Sequence, residues 1–230
     1  SILLTAERIG ISVFGKEVYN NRFNSVGLLK SFSSNDSGGL VDEMARRFSQ
    51  FSNPILEELQ LQNNFLLAQT ASAPSEFADL ALEIEAKILH GSVNMSSEGD
   101  ILLNLENGPV INIQQAGSTI KSLNSLVIDL KLFMPSNSTL ILDEPEINLH
   151  PYNQVVFARI LAKLVNRGIQ IIVSTHSDYI IREFNNLIML SKVQNTSDET
   201  MDELGYSRRE ILNPENVGAY FFKYIPNNNA

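Results

Sequence analysis

Two short apolar runs, Leu140 Ile141 Leu142 and Ile169 to Val173, each end in polar residues, and between them Pro151 to Asn166 carries apolar residues at helical spacing. Few folds accommodate that order. A β-branched run without alternation is suited to a strand buried on both faces, and a helix between two such strands is the crossover of a parallel pair. Val155, Val156, Phe157, Ile160, Leu161 and Leu164 form the inward face of that helix, Pro151 suits its first turn, and Gly168 ends it. Upstream, a helix from about Ser118 to Phe133 leads into the strand Thr139 to Leu142. Downstream, a short helix from Ser177 to Phe184 precedes an expected strand Leu187 to Leu190, then a polar, mobile stretch Ser191 to Glu203, and a last strand Val217 to Tyr224. Strands and helices alternating at this spacing predict an α/β fold, a parallel sheet with flanking helices.

The N-terminal part reads differently. Ile2 to Thr5 is strand-like and begins without a cap or turn, as though the chain started in mid-sheet. Asn20 to Gly39 is rich in Asn, Ser and Gly and predicts loops. Leu40, Met44, Phe48 and Phe51 recur at helical spacing up to Pro54, and a second helical run follows from Ile55 to about Gln69. Phe77, Leu80, Ile84 and Ile88 make another amphipathic face, supported by Glu83 four residues before Lys87 and stopped at Gly91. These helices predict a separate lobe. Ile101 to Glu106 and Val110 to Gln114 flank Asn107 Gly108, a hairpin dipeptide. The expected division is 1–19 for the start of a core, 20–99 for the helical lobe and 100–230 for the rest of the core.

Composition limits the partners. Lys+Arg 17 against Asp+Glu 26 leaves a net charge of -9, which argues against a general basic surface for nucleic acid and leaves room for a small local patch. With Cys 0 there is no disulfide framework, thiolate metal site or cysteine nucleophile. No apolar run approaches the roughly 20 residues that cross a bilayer, and no secretory signal opens the chain, so a cytoplasmic protein is expected.

The chemistry concentrates at the ends of the two buried strands. Leu140 Ile141 Leu142 delivers Asp143 and Glu144 to a C-terminal strand end, where parallel α/β sheets place their sites. In a nucleotide hydrolase of this kind Asp143 would hold Mg²⁺ through a water, and Glu144 would orient and deprotonate the attacking water. The alternative is a polar strand end without chemistry. One crossover later Ser174 Thr175 His176 Ser177 follows the next strand, bringing His176 beside the carboxylates if the strands are neighbours. A neutral imidazole there would sense a γ-phosphate or the attacking water; a structural histidine is the alternative.

Asp143 Glu144 Pro145 Glu146, then Asn148 Leu149 His150 Pro151, then Ser174 Thr175 His176 Ser177 resembles the Walker B, D-loop and switch-histidine series of ABC-type ATPases. It is most similar to the soluble, non-transporter branch with the OLD-family and AAA-annotated ATPases of bacterial defence, beside SMC and RecF-like repair proteins. The resemblance implies an ABC-type P-loop NTPase core with an inserted helical lobe, ATP and Mg²⁺ as ligands, and nucleotide contacts from Asn148 and His150. It also assigns a signature segment, Ala116 to Leu123, in which Gly117 and Ser118 at a helix N-terminus would cap the γ-phosphate held by a second copy. Thr119 departs from the glycine common there, and an ordinary Ser118 helix cap is the alternative. Leu3 to Gly10 is similar to the strand that leaves the core for the helical lobe, which puts Glu7 or Arg8 near the nucleotide as the Q-loop is; a surface ion pair is the alternative.

No G-x-x-x-x-G-K-S/T occurs in the sequence, and that loop supplies the phosphate cradle. Its Walker A part is therefore expected before Ser1 or in another chain, and this polypeptide alone is expected to be a poor ATPase. Glu83, Glu85 and His90 read as a solvated helix face rather than a metal site, and Arg46 Arg47 and Arg208 Arg209 as ordinary surface charge. Pro226 to Asn229 reads as disordered. The resemblance implies ATP-driven pairing of two copies that gates a partner effector, a nuclease or toxin of antiphage defence. A nucleotide-dependent scaffold with little turnover is the first alternative. A DNA repair ATPase of SMC or RecF type ranks lower, because no basic stripe or long heptad run is present.

Overall fold

The computed structural model describes residues 2–6, 8–11, 13–14, 55, 74–96, 100–193 and 198–223. The helices expected from Leu40 to Gln69, the loops of Asn20 to Gly39, and Pro226 to Asn229 lie outside these, apart from Ile55.

Strands β1 (Ile2–Leu4), β5 (Thr139–Asp143) and β6 (Gln170–Ser174) form a parallel sheet in the order β1-β5-β6. Ile2 lies opposite Leu140, and Leu140 opposite Ile171, so both neighbours of β5 end level with its carboxylates. A second, antiparallel sheet joins β2 (Gly91–Met95), β3 (Ile101–Leu105) and β4 (Val110–Asn112) as a meander. Its β3–β4 half is the hairpin predicted around Asn107 Gly108. The partner strand β2 is an addition: the helix before it ends at His90, in the left-handed conformation with φ 51°, and Gly91 opens the strand rather than stopping the helix.

Gly91 is needed for contact. A Cβ there would stand 2.8 Å from the Asn104 carbonyl oxygen and 3.4 Å from Leu105 Cα, both backbone atoms that cannot step aside. Gly91→Ala is therefore expected to cost about 1–3 kcal/mol, read as a lower midpoint in chemical unfolding.

Helix α1 (Ala78–Ile84) runs into a π-helical turn, Glu85–Leu89, and α2 (Ser118–Ile128) into another, Asp129–Phe133. The two turns grip one residue of β2. Glu85 Oε1 accepts from the Val93 N–H at 2.5 Å and from Lys131 Nζ at 2.6 Å, and Lys131 also donates to the Val93 carbonyl at 2.8 Å. Glu85 is only 4% exposed, so the solvated face expected for it is corrected: folding closes β2 over it, and Lys131 offsets the buried charge. Glu83 is likewise drawn inward, between Lys87 at 2.6 Å and Lys163 at 2.7 Å.

Helix α3 (Pro151–Asn166) has Pro151 in its first turn and is capped by His150, whose Nδ1 accepts from the Tyr152 N–H at 3.3 Å. Beyond its C-terminus Gly168 adopts φ 89°, the left-handed stop the sequence predicts. Phe157, Ile160, Leu161 and Leu164 of α3 meet Leu140 and Leu142 of the sheet, Leu123, Leu126 and Val127 of α2, and Leu80, Ala81 and Ile84 of α1 in one hydrophobic core.

Helix α4 (Asp178–Ser191) is capped by Ser177, whose Oγ accepts from the Tyr179 and Ile180 N–H groups at 3.2 Å. The expected strand Leu187 to Leu190 is instead the last turns of this helix. Leu187 completes the helical stripe begun by Ile180 and Phe184 and packs with Ala162 and Leu212. The expected mobile stretch holds helix α5 (Asp198–Glu203), anchored by buried Met201. The strand expected from Val217 to Tyr224 does not form over its described part, and Tyr220, Phe221 and Phe222 are almost fully exposed. Nor is β6 buried on both faces: Ile172 is 58% exposed, because no further strand or layer covers that side among the described residues.

Candidate active site

Adjacent parallel strands β5 and β6 bring Asp143, Glu144, Ser174 and His176 to one end of the sheet. Asp143 pairs in register with Ser174, whose Oγ donates to Asp143 Oδ1. Glu144 follows with φ 44°, a left-handed conformation that costs a residue with a side chain about 1–3 kcal/mol. Its N–H donates to the Ser174 carbonyl at 3.1 Å and lies 3.3 Å from Ser174 Oγ. The twist carries the Glu144 carboxylate towards the loop after β6, where His176 Nε2 stands 3.4 Å from Glu144 Oε1. Glu146, two residues on, accepts the His176 N–H at 2.7 Å and so fixes the backbone of that loop.

The loop between β5 and α3 closes on α2. Asn148 adopts φ 66°, which asparagine tolerates, and its carbonyl accepts from Thr119 Oγ1 at 2.6 Å. Thr119, the departure from the expected glycine, thus joins the first turn of α2 to this loop. Gly117 is the N-cap of α2 and Ser118 its first residue, so the ordinary Ser118 cap is corrected: no side-chain cap bond is made there. Gly117 and Ser118 are both exposed, and a Cβ on Gly117 would meet nothing within 4 Å. Among the described residues Ser118 and His150 make no hydrogen bond to Asp143, Glu144 or His176; the His150 imidazole accepts from the Tyr152 N–H and its carbonyl from the Gln154 N–H.

One position beside the carboxylates gave only a weak signal in the sequence. Arg8 is 3% exposed, so it does not lie at the surface as the alternative weighed for it had it, and its guanidinium reaches the carbonyls of Thr5, Ser122, Asp143 and Glu144. Glu7 lies outside the described residues. No group of three His, Cys, Asp or Glu fit to hold a metal exists among the described residues, and no helix is long and apolar enough to cross a membrane.

A parallel sheet with flanking helices gathers an Asp-Glu pair and a histidine at its C-terminal end, where α/β folds place their ligand sites. A family model described as AAA ATPase domain matches residues 20–181, and the chain belongs to that family. Comparison with curated proteins found no match. Among solved structures, one from work on ATP-driven dimerization and DNA-stimulated activation of SMC ATPases is similar at 21% identity and a TM-score of 0.38, over 53% of this chain and 77% of that one. An SmcHead bound to the C-winged helix domain of ScpA gives 19% and 0.34, over 63% and 41%. An Smc head domain with an extended coiled coil bound to the C-terminal domain of ScpA, derived from Pyrococcus furiosus, gives 16% and 0.30, over 77% and 47%. Such TM-scores describe a partial overlap of shape and no more. The chain spans less than half the length of the two Smc head structures.

Proposed function

We propose that this chain supplies the Walker B, signature, D-loop and switch-histidine parts of an ATP hydrolase that works as a pair of copies. The observation that carries it is the meeting of Glu144 and His176, 3.4 Å apart, at the ends of neighbouring parallel strands. Glu144 takes the proton of the attacking water, and His176, with a side chain 89% exposed, turns towards the terminal phosphate as a hydrogen-bonding sensor.

Asp143 fits a magnesium ion held through water. It is an exposed carboxylate at a strand end with one oxygen already oriented by Ser174, and magnesium binds through one or two carboxylates and phosphates rather than a closed protein cage. When bound, Mg²⁺ neutralises charge on the phosphates of ATP.

Gly117 and Ser118 serve the site of a second copy, since in their own copy they are exposed and make no bond to the acids. Free N–H groups at a helix N-terminus suit a phosphate. Asn148 and His150, on the loop tied to α2 by Thr119, join that contact. The phosphate-binding loop comes from outside this sequence. Ala78–Leu89, which packs on α2 and α3, transmits closure from the lobe expected over 20–99. Gating of a nuclease or toxin in antiphage defence rests on the resemblance of the motifs alone.

The test is ATP turnover by the full-length protein and its Asp143→Asn variant. The variant is expected to lose about 10²-fold or more in kcat at fixed Mg²⁺, the scale of a lost metal contribution. Wild-type turnover in a folded Asp143→Asn protein rejects the reading.

A further inference from the structure

We propose that Arg8 is a positioning residue for Glu144 and the link that makes the acids respond to helix α2; the inference rests on Glu144 being the general base. Among the described residues its guanidinium donates to the backbone carbonyls of four residues. Nη1 donates to Thr5 at 2.9 Å and to Asp143 at 3.0 Å, Nη2 to Glu144 at 3.1 Å, and Nε to Ser122 at 2.9 Å. These come from the end of β1, the turn after β5, and the second turn of α2.

The choice of partners is what separates this from ordinary burial of a cation. Asp143 and Glu144 are the two carboxylates of the proposed chemistry, and Glu144 stands in a left-handed conformation with φ 44°. Hydrogen bonds from a charged donor are the stronger kind, and here they hold the peptide oxygens on either side of that twisted residue. The planar fork of arginine reaches several acceptors in fixed directions; an ammonium is a point charge with three rotatable donors and cannot span them. The bond to Ser122 extends the clamp into the helix whose exposed N-terminus carries Gly117 and Ser118. A shift of α2, as a second copy closes on that N-terminus, is therefore passed to the Glu144 backbone through one side chain. The Thr119 to Asn148 bond gives α2 a second hold on the same loop.

The experiment compares wild type, Arg8→Lys, Arg8→Gln and Glu144→Gln in the full-length protein, with thermal melting recorded for each. Arg8→Lys is expected to fold and to bind ATP with a KM within about three-fold of wild type, while kcat drops on the order of 10²-fold, the scale of a slightly misplaced catalytic group. Arg8→Gln should fall further, so that the lysine gives partial rescue. A folded Arg8→Lys or Arg8→Gln protein with wild-type kcat beside an inactive Glu144→Gln overturns the assignment of Arg8 alone. Undiminished turnover in Glu144→Gln overturns the general base first, and this inference with it. Hydrogen exchange on wild type decides the matter if both Arg8 variants fail to fold. The clamp predicts an Arg8 Nε–H protected by its bond to the Ser122 carbonyl, and exchange at the rate of a surface arginine overturns it.

Discussion

Glu144→Gln is expected to lower ATP turnover by about 10²- to 10⁴-fold while leaving nucleotide binding intact. The amide keeps the size of the side chain and one oxygen acceptor, so the turn held by Ser174 and Arg8 has no reason to move. What it loses is the capacity to take a proton from water. His176 cannot make good that loss, because its proposed contact is with the phosphate and its backbone is fixed by Glu146. Hydrolysis is then blocked after the two copies have closed, and nucleotide-bound dimers should accumulate. Light scattering with Mg²⁺ and ATP, run beside a phosphate-release assay, reads both effects. Unchanged turnover would favour the alternative of a nucleotide-dependent scaffold.

The second large effect lies away from the site. Lys163→Met is expected to destabilise the fold by about 3 kcal/mol, because it leaves carboxylates buried without their shared cation. Lys163 is 12% exposed and lies 2.7 Å from Glu83 Oε1 and 3.0 Å from Glu210 Oε1. After the change Glu83 keeps exposed Lys87, while Glu210 keeps, among the described residues, the Ser207 N–H at 3.1 Å.

Burial by itself would raise the Glu83 carboxyl, but Lys163 and Lys87 outweigh it and hold the group below its ordinary value of 4.5. Burial would lower Lys163, yet Glu83 and Glu210 keep it above its ordinary 10.5. A depressed carboxylate adds stability above its unfolded pKa and loses it as pH falls through the folded one. A raised lysine adds stability below its unfolded pKa and loses it as pH rises through the folded one. The gap in unfolding free energy between wild type and Lys163→Met should thus be widest between 4.5 and 10.5 and close at more acid pH. Urea unfolding across that range measures it, and a gap independent of pH would show that packing rather than charge is responsible.

Regular elements with strong local signals were legible from residue order. The helix from Pro151 to Asn166 has a cap, a proline start, a repeating apolar stripe and a glycine stop, and each of these acts within a few residues. The strand ends at Asp143 and Ser174 follow from it, since a helix of that length returns the chain to lie parallel beside its starting strand. Leu187 Ile188 Met189 Leu190 was not decided locally. A short apolar run satisfies helix and strand equally, and its outcome was set by α3, against which Leu187 closes a helical stripe. The same holds for Val217 to Lys223, which is apolar enough for a strand but has none beside it among the described residues.

By itself, then, the order of residues determined the crossover of strand, helix and strand and the delivery of Asp143, Glu144 and His176 to one end of a sheet, because periodicity, caps and turns are short-range effects. Tertiary structure alone decided which charges are buried and what they hold. Arg8 meets Ser122 and Glu144 across separations of 114 and 136 residues, and Glu85 meets Lys131 across 46. A charge leaves water only where partners from distant segments replace its hydration, and no local pattern records which distant segments will arrive.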